Sequence, residues 1–417
     1  MSRFTVLSIA AAALALALVL AAPAAARDCP PQVRAPNAIV LEVSTGNVAC
    51  ERRADVERPV GSTVKLMTAL LTLERADLDD TFTAVDYHGA PSESKVGLVP
   101  GERMSVRDLL RGLLIASGND AAMTLAKGVA GSERAFVRLM NQRARQLGLE
   151  HTHYGNPIGL DEPGAHSSAR DLVKLALFLR TKPFFRRTVR QERVTLETGA
   201  VSRTLDNRNT LIKAVPWVNG VKTGRTQLAG QVLVGSGRQK GIQVISAVLA
   251  EKDEAARNAD TVRLLSFGIG QFQRITAARP GLRVDVHVPI RYRRGATLEL
   301  MIGPNGERTV VPRGRRDDVT VRPIEYPNEV EGPIPFGTRL GMAEVLQDGR
   351  RIATVPLIGI GEVPDAGPAQ RTKSWLSTPI GVVLAFAVLS ATVLVARLRR
   401  RPRGPRQQRA REEARAA

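Results

Sequence analysis

The chain has 417 residues, with 60 Lys or Arg against 40 Asp or Glu, and its formal net charge is +20. Such a charge is common in nucleic-acid-binding proteins, but here the excess is spread along the chain without the aromatic interleaving or the folds of that class. Part of it lies in a basic tail from Arg397 onward. The composition argues against nucleic acid as the partner and favours an anionic cell envelope.

Residues 1–26 predict a secretory signal peptide. Arg3 precedes an apolar run from Ile9 to Leu20, and Ala24-Ala25-Ala26 supplies the small residues that signal peptidase requires. An uncleaved membrane anchor is the alternative, but the run is short and is followed by Pro23. We therefore expect the folded part of the chain to be exported.

Cys29 and Cys50 are the only cysteines of the sequence. In an oxidising exterior they can form a disulfide that ties down the N-terminal segment, or they can remain free thiols. The residues alone leave both possibilities open. Neither cysteine has the spacing of a metal site, and we expect no bound metal.

Strand-like segments flank a long helical region. Ala38–Val43 and Val48–Glu51 predict a hairpin, and a helix follows from Thr63. Helical patterns continue to about residue 185, and Gln231–Gly235 with Ile242–Leu249 then predict a second hairpin. Strands at both ends of a helical segment predict one antiparallel sheet with an inserted helical lobe, so we expect a two-lobed domain over residues 27–275.

Local signals add detail to these elements. Ser105 with Asp108, and Ser168 with Asp171, resemble capping boxes that open Leu-rich helices. The Ser/Gly-rich stretch 236–241 predicts the turn of the second hairpin, and a helix over residues 255–267 follows it.

The C-terminal part has a different texture. Residues 279–362 form short alternating segments broken by Gly and Pro, which predict a small all-β domain, and residues 363–374 form a polar linker. Residues 375–398 are apolar and long enough to cross a hydrocarbon core of about 30 Å as one helix. The arginines of residues 399–417 place that basic tail in the cytoplasm and the rest of the chain outside.

Ser62-Thr63-Val64-Lys65 opens the predicted helix and is the first candidate catalytic motif. Residues three apart share a helix face, so the Lys65 amine can reach the Ser62 hydroxyl and accept its proton. A second match, Ser92-Glu93-Ser94-Lys95, lies in a Gly/Pro-flanked stretch without a helical face, so we do not expect it to be catalytic. The simpler alternative for Ser62 is a helix cap.

Ser117-Gly118-Asn119 is the second candidate motif and falls on a turn between two predicted helices. A hydroxyl there can relay a proton, and the Asn119 amide can bind a substrate carbonyl. The alternative for Ser117 is a turn former without catalytic function.

Lys222-Thr223-Gly224 is the third motif and precedes the second hairpin. Lys222 and Thr223 on a strand can bind a substrate carboxylate, and Gly224 allows the substrate to approach the backbone closely. A lysine near Lys65 would also oppose protonation of Lys65, which must be neutral to act as a base. The alternative for Lys222 is a solvated strand residue.

In this order the three motifs resemble those of penicillin-binding proteins and serine β-lactamases. Residues 35–270 are most similar to the D-alanyl-D-alanine carboxypeptidase family of low-molecular-mass penicillin-binding proteins. The segments that carry this resemblance are Gly61–Thr68, Ser117–Ala121, Asn156–Leu160 and Asn219–Gly224. The resemblance implies an α/β plus α fold, a serine β-lactamase/penicillin-binding-like two-lobed catalytic domain, here followed by the all-β domain and the transmembrane helix.

The resemblance also implies the reaction and its residues. Ser62 is expected to be the acylated nucleophile, Lys65 its base and Ser117 the proton relay. The substrate-binding residues are expected to be Asn119, Lys222, Thr223, Gly224, Arg225 and Arg208. The backbone amides of Ser62 and Arg225 are expected to form the oxyanion hole, and Arg225 stands where relatives often have histidine.

The implied substrate is a peptidoglycan stem peptide ending in D-Ala-D-Ala, and β-lactams are implied as covalent inhibitors of the same serine. The chemistry requires no metal or organic cofactor, and the sequence points to no particular protein partner. Three alternatives stay open: a DD-endopeptidase, a β-lactamase, and a non-catalytic wall-binding or β-lactam-sensing protein. The sequence lacks a Glu-x-x-Leu-Asn stretch after the second motif, which disfavours a β-lactamase.

Overall fold

The computed structural model describes residues 28–347 and 349–399, so the expected signal peptide and residues 400–417 lie outside the described part. The chain divides into two compact units. The first comprises the residues up to Arg274 together with Val310–Arg313, and the second comprises Ile275–Thr309 together with the residues from Gly314 onward.

The elements of the first unit alternate between sheet and helix. Its strands are β1 (Asn37–Glu42), β2 (Val48–Arg52), β3 (Thr81–Thr83), β4 (Arg103–Ser105), β5 (Arg193–Leu196), β6 (Arg203–Asp206), β7 (Val218–Thr226), β8 (Gly230–Gln239) and β9 (Ile242–Glu251). Its helices are α1 (Lys65–Arg75), α2 (Val106–Arg111), α3 (Asn119–Ala130), α4 (Glu133–Gln146), α5 (Ala169–Arg180), α6 (Pro183–Thr188), α7 (Leu211–Ala214) and α8 (Glu254–Gln271).

One antiparallel sheet organises this unit, in the order β2-β1-β9-β8-β7. Helices α1 to α7 are inserted between β2 and β7, which confirms the predicted sheet with a helical lobe. All of β1 is buried, and its side chains alternate between the two faces of the sheet. Ile39 and Leu41 pack towards the helical lobe, and Ala38 and Val40 pack with α8. The sheet therefore lies between two helical layers.

The second hairpin differs from its prediction. Residues 236–239 continue β8 as strand, and the chain reverses at Lys240 and Gly241, both with positive φ. The glycines in this stretch serve packing, since a Cβ on Gly235 would lie 2.6 Å from Thr261 and one on Gly237 would lie 2.7 Å from Trp217. A stretch that read as a turn is therefore a strand against which larger side chains pack.

The helix caps agree in part with their prediction. Ser105 accepts a hydrogen bond from the Asp108 amide, and Ser168 accepts one from the Asp171 amide. The carboxylates, one methylene shorter than glutamate, do not complete the boxes; Asp108 accepts from the Thr198 amide and Asp171 from the His151 amide. Each acid thus fastens a neighbouring loop to its helix.

The strands and helices that follow α8 form the rest of the chain. They are β10 (Phe272–Ala278), β11 (Arg283–Pro289), β12 (Thr297–Ile302), β13 (Glu307–Pro312), β14 (Val319–Glu325), β15 (Arg339–Gln347), β16 (Arg350–Gly359), α9 (Pro368–Leu376) and α10 (Pro379–Arg399). The second unit contains a sheet in the order β11-β12-β16-β15-β14 around buried Leu300, Val345 and Leu357. This β-rich unit confirms the expected all-β domain.

Within the described residues, α10 is the one helix long and apolar enough to cross a membrane, by length and composition alone. It begins later than predicted, because Leu376 ends α9 and Pro379 starts a new helix. A proline suits a helix start and disfavours helical backbone in the residue before it. The Thr378 hydroxyl accepts from the Gly381 amide at this start.

Candidate active site

Ser62 lies in a 3-10 turn, Gly61–Val64, that leads directly into α1. In a 3-10 turn, residues three apart are nearly eclipsed, so Lys65 is placed over Ser62. The Lys65 Nζ atom lies 3.0 Å from Ser62 Oγ. The sequence predicted an α-helix from Thr63, whereas the α-helix begins at Lys65 and a 3-10 turn precedes it. The three-residue spacing of Ser62 and Lys65 brings their side chains together in this turn as well.

The Lys65 amine is fully buried and has three oxygen partners. Besides Ser62, these are the side-chain oxygen of Asn119 and the carbonyl oxygen of Ile158, each at 2.6 Å. A neutral amine has two N–H donors and one lone pair. If the donors serve Asn119 and Ile158, which can only accept here, the lone pair is left to accept the Ser62 proton.

The electrostatic environment favours this neutral form. Burial lowers the pKa of Lys65 well below its usual value, and the neighbouring Lys222 lowers it further. Glu93 and Asp120 act in the opposite direction and raise it. The expected influence of a second lysine is therefore present, although desolvation is the larger cause.

Ser117 lies in the turn between the π-helical turn Gly112–Ala116 and α3, as the sequence predicted. Its backbone is left-handed, with φ of 64°, and its hydroxyl accepts from Lys222 Nζ at 2.8 Å. Burial first, and then the charges of Arg208 and Arg257, lower the pKa of Lys222 to about 7. The second and third motifs thus form a hydrogen-bonded pair beside the first.

Strand β7 carries the third motif along an edge of the sheet. A Cβ on Gly224 would lie 2.5 Å from the Val60 carbonyl oxygen, and a Cβ on Gly61 would lie 2.8 Å from the Arg225 amide nitrogen. Only glycine allows this approach of β7 to the Ser62 turn. The backbone amide of Arg225 is therefore held next to the turn that carries Ser62.

The remaining predicted binding residues differ in exposure. Thr223 is buried beside Lys222, whose amine also donates to the Thr223 carbonyl at 3.0 Å. Arg225 and Arg208 have exposed side chains. The Arg208 amide donates to the Ile115 carbonyl at 3.0 Å, which fixes its backbone beside the turn of the second motif.

Two features of the site were not predicted from the sequence. The loop Asn156–Leu160 supplies the Ile158 carbonyl, and a Cβ on Gly159 would lie 2.1 Å from the Gly61 carbonyl oxygen. The sequence of this loop carries part of the family resemblance. The contact of Ile158 with Lys65 was not predicted, because a backbone carbonyl cannot be recognised from the residue type. The loop therefore packs directly against the turn that carries Ser62.

The second feature is Glu93, which lies in the Ser92–Lys95 match that was not expected to be catalytic. Lys95 donates to the Gly89 carbonyl and not to Ser92, so this match has no serine-lysine pair. Glu93, however, accepts from Asn119 Nδ2 at 2.6 Å and from the Tyr87 hydroxyl. The Tyr87 hydroxyl oxygen lies 3.3 Å from the same Nδ2 atom, so the amino group of Asn119 faces Glu93 and Tyr87.

In the part of the chain that the structure describes, no group of three or more His, Cys, Asp or Glu side chains could hold a metal ion. The site is built from amines, hydroxyls, amides and the Glu93 carboxylate, and its geometry suits nucleophilic attack by serine on a carbonyl with a lysine base.

Comparison with known proteins agrees with this geometry. Residues 24–253 match the family described as D-alanyl-D-alanine carboxypeptidase. DacF of Bacillus subtilis (strain 168) is 29% identical over 340 residues, 80% of this chain and 87% of that protein. DacA of Escherichia coli (strain K12) is 30% identical over 351 residues, 80% of this chain and 85% of that protein.

Solved structures show the same relationship. Penicillin binding protein 5 from Haemophilus influenzae is 26% identical with a TM-score of 0.59, over 81% of this chain and 100% of that structure. The Streptomyces K15 DD-transpeptidase is 31% identical with a TM-score of 0.55, over 58% of this chain and 99% of that structure. The chain belongs to the D-alanyl-D-alanine carboxypeptidase family of serine peptidases.

Proposed function

We propose that this protein removes the terminal D-alanine from peptidoglycan stem peptides through an acyl-serine intermediate. The observation that carries the proposal is the 3.0 Å contact between Lys65 Nζ and Ser62 Oγ, with Lys65 buried and its pKa lowered. A serine hydroxyl is a weak nucleophile unless an adjacent base takes its proton. The neutral Lys65 amine is that base.

In the acylation step, Ser62 Oγ attacks the carbonyl carbon of the penultimate D-alanine and its proton passes to Lys65. The Ser62 and Arg225 amides stabilise the resulting oxyanion. The bond to the terminal D-alanine nitrogen then breaks. Lys65 gives up the Ser62 proton, and the Ser117 hydroxyl, hydrogen-bonded to Lys222, relays it to the leaving amine, so D-alanine departs neutral at that nitrogen and Ser62 is left as an ester.

In the second step, water attacks the Ser62 ester. One proton of the water returns to Ser62 Oγ, and the shortened stem leaves as a carboxylic acid that ionises in solution. The sum of both steps is hydrolysis of one peptide bond. A β-lactam acylates the same serine by opening its ring, and no leaving group departs in that case.

Substrate binding is assigned to β7 and its surroundings. As an edge strand, β7 has backbone groups free to pair with an extended peptide. Lys222 and Thr223, with Arg208 nearby, bind the terminal carboxylate of the substrate. The Asn119 amide, whose Nδ2 atom also donates to Glu93, is assigned to a substrate carbonyl.

We also assign the chain to the cell membrane, as a single-pass protein with its catalytic part outside. The assignment rests on the apolar helix α10, the apolar signal-like N-terminus and the arginine-rich C-terminus. We place the catalytic domain at residues 27–275, the β-rich domain at residues 279–362, the linker at 363–374, the span at 375–398 and the tail at 399–417. Stem peptides and β-lactams are its proposed ligands.

Labelling with a fluorescent penicillin tests the nucleophile in the full-length protein in detergent. We expect the wild type to be labelled and Ser62→Ala to be unlabelled. Ser92→Ala is the matched control, because Ser92 belongs to the other Ser-x-x-Lys match and is exposed. Labelling of Ser62→Ala, or its loss in Ser92→Ala, would refute the assignment of Ser62.

A further inference from the structure

The loop that carries Glu93 is fixed to the start of α3. The backbone N–H of Asn119 donates to the Ser94 carbonyl at 2.8 Å. The carboxylate of Asp120 accepts from the amides of Val96, Gly97 and Leu98 at 2.9 to 3.1 Å. The backbone of Asn119 and the side chain of Asp120 therefore hold the loop, and Glu93 reaches the site from an anchored backbone.

The Glu93 side chain is itself held in place. Its Oε1 atom accepts from the Ala90 amide at 2.9 Å, and its Oε2 atom accepts from Asn119 Nδ2 and from the Tyr87 hydroxyl. The Glu93 amide also donates to the Ala90 carbonyl, which closes a tight turn. A carboxylate held in this way is a fixed acceptor.

A fixed acceptor decides which way the Asn119 amide faces. An ionised carboxylate can only accept hydrogen bonds, so it attracts the amino group of Asn119 and leaves the amide oxygen towards Lys65. In the opposite orientation, the amino group would face Lys65 and donate into the amine lone pair. That lone pair is the one that takes the Ser62 proton, so the flipped amide would compete with the nucleophile.

We propose that Glu93 is a positioning residue for the acylation step, which orients the Asn119 amide so that Lys65 stays available to Ser62. The proposal rests on the proposed function of Ser62 and Lys65 and adds a residue outside the three motifs. Tyr87 supports the same orientation, because its hydroxyl binds the Glu93 carboxylate and lies 3.3 Å from Asn119 Nδ2.

Glu93 also has an electrostatic effect that a purely structural residue lacks. The charged groups that act on Lys65 are Lys222 from β7, Glu93 from the loop and Asp120 from α3. Glu93 and Asp120 raise the pKa of Lys65, and Lys222 lowers it. Removing the charge of Glu93 therefore lowers the pKa of Lys65 and moves the acid limb of the acylation rate to lower pH.

The test measures the second-order rate of acylation by a fluorescent penicillin as a function of pH, with the full-length protein in detergent. Glu93→Ala removes the acceptor, and we expect the rate to fall about ten- to hundredfold. Glu93→Gln keeps an oxygen for the Asn119 amino group, so we expect it to restore most of that rate. Its acid limb should lie at lower pH than that of the wild type.

Asp86→Asn is the matched control, because Asp86 lies in the same loop, has an exposed side chain and pairs with His88 at 3.1 Å. It should keep the wild-type rate and acid limb. A wild-type rate for Glu93→Ala contradicts the proposal, as does an equal loss in both Glu93 variants with an unmoved limb. A wild type that is not acylated at all refutes the proposed function itself, and the two failures are therefore distinguishable.

Discussion

Lys222 donates to the Ser117 hydroxyl across 2.8 Å, although the two residues are 105 positions apart in the chain. The bond joins β7 to the turn before α3, and it brings the second motif into contact with the third. The Ser117 hydroxyl can accept from Lys222 and donate its own proton, which is the requirement for a relay.

Ser117→Ala tests this relay. The substitution removes the hydroxyl and deprives the buried Lys222 amine of one of its two acceptors. We expect acylation by penicillin to slow by about 10²- to 10⁴-fold, the range of a lost acid-base group. An acylation rate within about threefold of wild type would show that Ser117 only forms the turn.

The two buried lysines predict a bell-shaped pH profile of kcat/KM for a peptide with a free terminal carboxylate. Lys65 must be neutral, so the rate falls as the pH decreases through its lowered pKa. Lys222 must be charged to bind the carboxylate, and with its pKa lowered to about 7 it loses that charge as the pH rises above this value.

A peptide whose terminal carboxyl is amidated supplies the control for this profile. Because it has no negative charge for Lys222 to bind, we expect its kcat/KM to be low and to lack the alkaline limb. A rate for the free carboxylate that still rises at pH values well above 7 would contradict the role of Lys222.

The close contact of β7 with the Ser62 turn predicts the effect of Gly224→Ala. The added Cβ would lie 2.5 Å from the Val60 carbonyl oxygen and 3.1 Å from the Thr63 amide nitrogen. We expect the free energy of unfolding to fall by about 1–3 kcal/mol. Acylation should slow at least tenfold, because β7 must move away from Ser62.

Gly270→Ala serves as the matched control for this substitution. A Cβ there meets no atom within 4 Å, and the residue lies in α8. Alanine is favoured over glycine in a helix by up to about 1 kcal/mol, so this variant should be neutral or slightly more stable. Chemical denaturation and penicillin acylation measure both variants, and equal behaviour would contradict the packing argument.

The sequence predicted which side chains would form the candidate site, because the three motifs have fixed internal spacings. Ser62 and Lys65 are one helical turn apart, so local backbone geometry alone brings their side chains together. The assembly of the three motifs followed from their order and from the family resemblance, since the spacing gives no contact between Ser117 and Lys222. The sheet that places Lys222 was predictable from alternating apolar residues on both sides of the helical lobe.

Other contacts had no such signal. The Ile158 carbonyl is a backbone acceptor, and any residue type at that position could supply it. Glu93 acts through a loop that is held by Asp120, a long-range contact that neither periodicity nor spacing reveals. The predicted turn at residues 236–241 was wrong at its start for a similar reason. Gly235 and Gly237 make room for Thr261 and Trp217, which are distant in sequence, and do not form a turn.

The disulfide between Cys29 and Cys50 is formed in the structure, which decides between the two possibilities that the sequence left open. The two residues are separated by 21 positions, and a loop of this length predicts a contribution of about 3 kcal/mol to the free energy of unfolding. Reduction should lower that free energy by this amount.

Both cysteines pack in the cluster that contains Leu264 and Leu265 of α8, away from Lys65, so the acylation rate at 25 °C should not change. A reduced protein that folds but loses acylation would contradict this separation.

The most direct test of the central claim is the release of free D-alanine from a peptide that ends in D-Ala-D-Ala, measured with the full-length protein in detergent. We predict release by the wild type and none by Ser62→Ala, with Ser92→Ala releasing D-alanine at the wild-type rate. No release by a wild type that is still labelled by penicillin at Ser62 would contradict the carboxypeptidase assignment for that substrate and favour an endopeptidase or a β-lactam sensor.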